Sequence, residues 1–287
     1  MLKKHITHLL VAASLFSANA AEPTPWEINL NANLMGSFQY YSKNWNGDEK
    51  GALSLTAQFN GEAQRQFNTF LHNRNVLKLS YGRINYQKEN RSGFSDPVKS
   101  TDLVEFESVL KLTVTKTTNP FIAVRYVSQF FDESDSTKTY YFNPSQVLES
   151  FGGAVQLIKN KNIDLTMRLG GALRQTFFQN EGLDHTNDGG LEYVSELNAS
   201  NRDGWIKFQS VCKIYEALAT SQDKPDDRWR HPDVNWENTL NVNITKYLML
   251  NVYMQLLYDK EIDLSASFKN VTSLGVTYMF RNNNAAQ

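Results

Sequence analysis

Apolar and polar side chains alternate along this chain with a period of two, and the alternation recurs from Trp26 to Phe280. The first run is the clearest. Trp26, Ile28, Leu30, Ala32, Leu34, Phe38 and Tyr40 hold even positions, while Glu27, Asn29, Asn31, Asn33, Ser37 and Gln39 hold odd ones. A helix would scatter these two sets around its circumference; a strand sorts them onto opposite faces. The run also exceeds the usual strand of a soluble domain and suits a tilted strand that crosses a bilayer.

The same alternation returns over residues 53–60, 104–114, 122–130, 163–174, 236–244, 250–256 and 273–280. Residues 77–86, 147–157, 191–199 and 205–217 fit strands less regularly, which brings the count to about twelve. An even number is what a bacterial single-chain barrel requires. Short connections at 73–75, 117–120, 160–162, 200–204 and 245–246 alternate with long ones at 42–51, 88–100, 131–145, 178–190 and 218–234. Outer-membrane barrels keep tight turns in the periplasm and long loops outside, so both termini are expected on the periplasmic side. The expected fold is all-β: a single antiparallel up-and-down transmembrane β-barrel. Lipid offers no hydrogen-bond partners, so the last strand should pair with the first.

Aromatic side chains fall near the expected strand ends. Trp26, Phe121, Trp205, Tyr247 and Phe280 belong to the turn end, and Trp45, Phe130, Phe177, Trp236 and Tyr258 to the loop end. Amphipathic rings prefer headgroup depth, so the ten residues are read as two girdles.

Composition adjusts this picture in three ways. Lys3 and Lys4, an apolar run through Leu9 to Phe16, and Ala18-Asn19-Ala20 read as a secretory signal peptide over residues 1–20. The barrel then occupies 21–280, followed by a short polar tail at 281–287. A hydrophobic content of 41 % looks soluble, but a barrel needs only every second residue to be apolar. The net charge of −1 argues against nucleic acid as a partner. Cys212 stands alone, so no internal disulfide supports the sheet, and it is read as a small apolar group on the lipid face.

Several stretches resemble a domain-of-unknown-function family of bacterial outer-membrane β-barrels related to salt-induced outer-membrane proteins. They are Asn44-Trp45-Asn46-Gly47 with Leu53-Ser54-Leu55, the runs 75–82 and 99–106, Asn143-Pro144 before Ser150-Phe151-Gly152, Met167-Arg168-Leu169-Gly170, and 274–280. The resemblance implies a barrel in the outer membrane of a Gram-negative bacterium and brings no catalytic residues. The aromatic ending Tyr278-Met279-Phe280 also resembles the signal read by the barrel-insertion machinery, although Arg281 to Gln287 follow it. Outer-membrane lipid, lipopolysaccharide and that machinery are the expected partners.

The inward positions carry both signs of charge: Glu105, Glu107, Lys111, Arg125, Arg168, Arg174, Glu196 and Glu237. Read as transport, they line a polar lumen for small solutes, with the arginines favouring anions. Read as packing, they pair and close a barrel much narrower than the general porins. A surface-interaction barrel acting through its long loops is a third reading. A lipid-modifying enzyme is a fourth, and it needs an oriented Ser–His pair. His185 beside Asp184 and His231 beside Asp233 are its loop candidates, and spacing ties no serine to either; His72 lies by a turn. No enzyme activity, cofactor or metal is therefore expected. The acid-rich loops hold Asp132, Glu133 and Asp135, Asp184 and Asp188, and Asp223, Asp226, Asp227 and Asp233. Their oxygens suit a hard cation bridging lipopolysaccharide phosphates, but no EF-hand spacing is present. Residue pattern alone leaves the specific role and the oligomeric state open.

Overall fold

The structure, a computed structural model, describes residues 22–282 except 136, 181, 183, 184 and 223–225. The signal-peptide segment, the tail beyond 282, Asp184 and Asp223 lie outside the described residues. The chain runs through β1 (Glu27–Gln39), β2 (Ala52–Gln66), β3 (Leu71–Tyr86), β4 (Val98–Leu112) and β5 (Thr118–Ser128). A two-stranded loop hairpin follows, β6 (Phe131–Asp132) with β7 (Tyr140–Tyr141). The wall resumes with β8 (Ser145–Lys159), β9 (Ile163–Phe177), β10 (Thr186–Ser200) and β11 (Ile206–Thr220). It ends with β12 (Asp233–Asn243), β13 (Leu248–Tyr258) and β14 (Ser267–Asn282). Among the described residues, every strand but β6 and β7 joins one closed antiparallel barrel of twelve strands.

Closure is made by β1 and β14, from Ile28 opposite Asn282 to Gly36 opposite Leu274. Among the described residues the barrel wall itself therefore has no open strand edge. The alternation read from the sequence becomes two faces. Leu34, Phe38, Leu55, Leu169 and Tyr278 are exposed on the outside, while Asn33, Glu105, Arg168 and Thr277 are buried inside.

The turns sit differently from the expectation at two places. Asn73-Arg74-Asn75 lies within β3, and the true β2–β3 turn is 67–70. There the Asn68 side-chain oxygen accepts hydrogen bonds from the amides of Phe70 and Leu71 and bends the chain. Asn73 instead donates across the wall to Ser108 Oγ and the Val109 carbonyl. Likewise Thr118 to Pro120 open β5, and Thr115 Oγ1 and Asn119 Oδ1 close the turn before them. Asn160, Asn201 and Thr245 serve the remaining tight turns in the same manner. A further loop at 259–266, between β13 and β14, completes the alternation and was absent from the expected set. At the chain end, β14 extends through Arg281 and Asn282, so these two residues are wall and not tail.

Gly152 in β8 faces Gly170 in β9 in register. A Cβ on Gly152 would meet the Leu169 carbonyl and the Gly170 Cα, whereas one on Gly153 would meet open space. Gly152→Ala is therefore expected to lower stability in urea titrations from micelles by about 2 kcal/mol, as overpacking does. Gly153→Ala should stay close to the parent; equal curves for the two variants would contradict this close approach.

Candidate functional site

The lumen has two unlike walls. On β4, β5 and β8 to β11 it is filled by packed side chains. Phe121, Ala123 and Ala154 form one buried cluster with Val109 against it. Leu148, Ala172, Tyr215 and Ala217 form another, covered by Trp229 from the short 3-10 turn Arg228–Arg230 of the β11–β12 loop. The wall of β1, β2 and β12 to β14 instead presents many neutral polar groups, Asn31, Asn33, Gln58, Asn241 and Asn251 among them, beside the charged Asp233, Glu237 and Lys269.

Between the walls runs a belt of ion pairs that ties strands across the interior. Arg74 on β3 lies 2.7 Å from Glu62 and 3.0 Å from Glu196 on β10. Arg125 on β5 is 2.7 Å from Glu192 on β10. Arg168 on β9 is 2.7 Å from Glu107 on β4 and stacks over the Phe121 ring at 5.4 Å. Lys78 stands 3.8 Å from Glu105 and 3.7 Å from Glu237, and Lys213 pairs with Glu105 from the opposite wall. Nearer the loop end, Arg174 bridges Asp188 at 3.3 Å and Asp233 at 2.5 Å and lies over Tyr215 at 4.2 Å. Within this belt cationic groups meet carboxylates, and the arginines of the transport reading, Arg125, Arg168 and Arg174, are neutralised by pairing.

Two cavities enter from opposite ends. One of about 940 Å³ reaches Tyr258, Asp259 and Ile262 at the loop end. The other, of about 1140 Å³, reaches Asp203, Gly204 and Lys246 at the turn end. Both are lined by Asn31, Asn60, Lys78, Glu105, Gln209 and Lys213.

All eight polar positions read from the sequence point inward. Glu105, Glu107, Arg125, Arg168, Arg174, Glu196 and Glu237 join ion pairs, and Lys111 lies among Lys159, Asp164 and Arg74 near the turn end. The reading missed Glu62, Arg74, Lys78, Glu192 and Lys213. Residue parity within β10 and β11 marks Glu192 and Lys213, while the misplaced turn hid Arg74. Asp188 and Asp233, read as loop acids, are strand residues of the lumen.

Of the girdle residues, Phe121 needs correction. It is 3 % exposed, as is Ala123, whereas Ile122 between them is 60 % exposed. Phe121 therefore faces inward, beneath Arg168, because it shares the parity of Arg125. Trp205, Tyr247 and Phe280 are exposed at the turn end, and Trp26 packs edge-on against Phe67 there. At the loop end Trp236 and Phe177 are exposed on the outside, and Tyr258 ends β13. Phe130 lies just past β5 against Tyr81, Phe131 and Phe142. Trp45 lies out in the β1–β2 loop, donating to Glu49.

The loop histidines have local partners. His185 packs edge-on against Phe177 and accepts from the Phe178 amide, and His231 meets Lys260 Nζ at 3.2 Å. In the β5–β8 loop, burial would raise the Asp132 carboxyl, but hydrogen bonds from Ser134 and Asn143 prevail and hold it below the usual range. Thr137 does the same for exposed Asp135.

Residues 38–133 match a family model described as a protein of unknown function (DUF3078). The match contains the resembling stretches at 44–55, 75–82 and 99–106 and none of the later ones. Among curated proteins, none matches the chain. The chain is similar in fold to an outer membrane channel from Pseudomonas putida F1, at 12 % identity, covering 93 % of this chain and 98 % of that one, with a TM-score of 0.46. It is also similar to the translocator domain of the autotransporter NalP from Neisseria meningitidis, at 12 % identity, 97 % and 96 % coverage and a TM-score of 0.36.

Proposed function

We propose that the chain is a bacterial outer-membrane protein whose lumen is a narrow passive conduit for small solutes. Its tight turns and both strand termini face the periplasm, and its long loops face outward. The apolar outer face between two aromatic zones supports the membrane setting, since only lipid covers such a belt. Lipid and lipopolysaccharide are then its surroundings, and the barrel-insertion machinery acts on it during assembly. Kinship with salt-induced outer-membrane barrels is part of the same proposal and rests on the resembling stretches. The role is transport without bond chemistry, so His185 and His231 carry no catalytic duty.

One observation carries the conduit: cavities from the two ends share Lys78, Glu105 and Lys213 in their walls. In this reading the belt is the constriction between the two cavities. Planar-bilayer recording tests this. The parent protein should pass small ion currents, and the Glu105→Ser, Lys213→Ser double variant should pass several-fold larger ones. Protein of either kind that inserts, shows a heat-dependent shift in gel mobility and conducts nothing would overturn the conduit.

A further inference from the structure

Building on the conduit reading, we infer that its solute is an uncharged, hydroxyl-rich molecule, a small saccharide or polyol. The loop-end cavity is bounded on one side by amide side chains, Asn31, Asn33, Asn241 and Asn251 among them. Asn251 Nδ2 donates to Asn241 Oδ1 at 2.8 Å, and Gln255 Nε2 donates to Asn235 Oδ1 at 2.9 Å. In the first pair the donor keeps its carbonyl oxygen and the acceptor its amino group, while Asn235 passes one amide hydrogen on to Glu237 Oε1, so the ladder offers both hydrogen-bond senses side by side. A hydroxyl also donates and accepts, and matches such a wall better than an ion does. An anion asks for donors alone, and a hard cation asks for oxygens alone.

A second observation lies on the same cavity. Asn33 is 7 % exposed, and its Oδ1 has no hydrogen-bond partner among the described residues; the buried Ser80 Oγ is in the same position. Both residues line the loop-end cavity. Buried polar atoms are nearly always satisfied in a folded protein, so these two oxygens are spare hydrogen-bonding capacity in the wall of the cavity. Tyr253 lines the same cavity and brings an aromatic ring to it.

Electrostatics agrees. At the narrowing Lys78 and Lys213 face Glu105 and Glu237, and Arg174 is held by Asp188 and Asp233. Lys269 is held by the Ser100 carbonyl and Thr101 Oγ1. At the narrow belt the paired charges cancel, so a charged solute must shed water beside them without a partner of its own. A cavity of about 940 Å³ also suits a small organic solute.

Proteoliposome swelling with solutes of matched size tests this: glucose and arabinose against gluconate, glucosamine and a zwitterionic amino acid. The neutral sugars should enter about tenfold faster than the charged set, a difference of roughly 1.4 kcal/mol. An Asn33→Ser, Asn251→Ser variant should slow sugar entry about fivefold, the worth of a lost hydrogen bond, although its lumen is no narrower. Charged or zwitterionic solutes entering as fast as sugars would overturn the solute class while leaving the conduit standing. So would a variant that carries sugar at the parent rate. No passage of anything, ions included, would overturn the conduit itself.

Discussion

Glu107→Leu should destabilise the barrel by about 3 kcal/mol, the low end of the cost of stripping one partner from a buried ion pair. Glu107 is 2.7 Å from Arg168 and 3.9 Å from Arg125, and all three are buried. Without it Arg168 keeps only Glu196, at 3.7 Å, while Arg125 retains Glu192 at 2.7 Å. The cost is an uncompensated guanidinium, so deleting both charges is the informative comparison. Glu107→Leu with Arg168→Leu should recover most of the loss, because the new side chains meet the apolar cluster of Phe121, Ala123 and Ala154. Urea titration followed by tryptophan fluorescence in lipid vesicles measures both. A single variant within about 0.5 kcal/mol of the parent would show that the belt adds nothing to stability.

The second large effect concerns the outside. Leu169 is exposed in the outer face of β9, between Gly153 on β8 and Tyr193 on β10. In a bilayer, Leu169→Arg places a guanidinium in hydrocarbon and should cost about 2–4 kcal/mol. On a protein surrounded by water the same exchange would be worth less than about 0.5 kcal/mol. Reversible unfolding from vesicles therefore separates the two settings, and a negligible change would remove lipid from the account of this face.

The barrel was legible because residue parity survives folding. Ile122 and Arg125 differ in parity and take opposite faces, and so do Leu169 and Arg168. Where a second rule overrode parity, the reading failed. Phe121 was assigned to a girdle because aromatic rings gather at strand ends, although its parity with Ala123 and Arg125 placed it inside. The segment Asn73-Arg74-Asn75 looked like a turn because asparagines favour turns, yet Asn68 holds the turn and Asn73 bonds across the wall. Asn and Thr are acceptable in both settings, and only the neighbouring strand decides between them.

Which face each side chain takes, and that the strands form an up-and-down barrel, follow from the sequence alone, because alternation is a local consequence of extended backbone geometry. Which charge meets which does not. Arg74 with Glu196, and Lys213 with Glu105, are far apart in the chain and meet through the stagger of a closed sheet. The same holds for the division of the lumen into a packed wall and an amide-lined path. Side chains from opposite strands share one small interior volume, so their arrangement is set by register, tilt and mutual exclusion, which no single strand encodes.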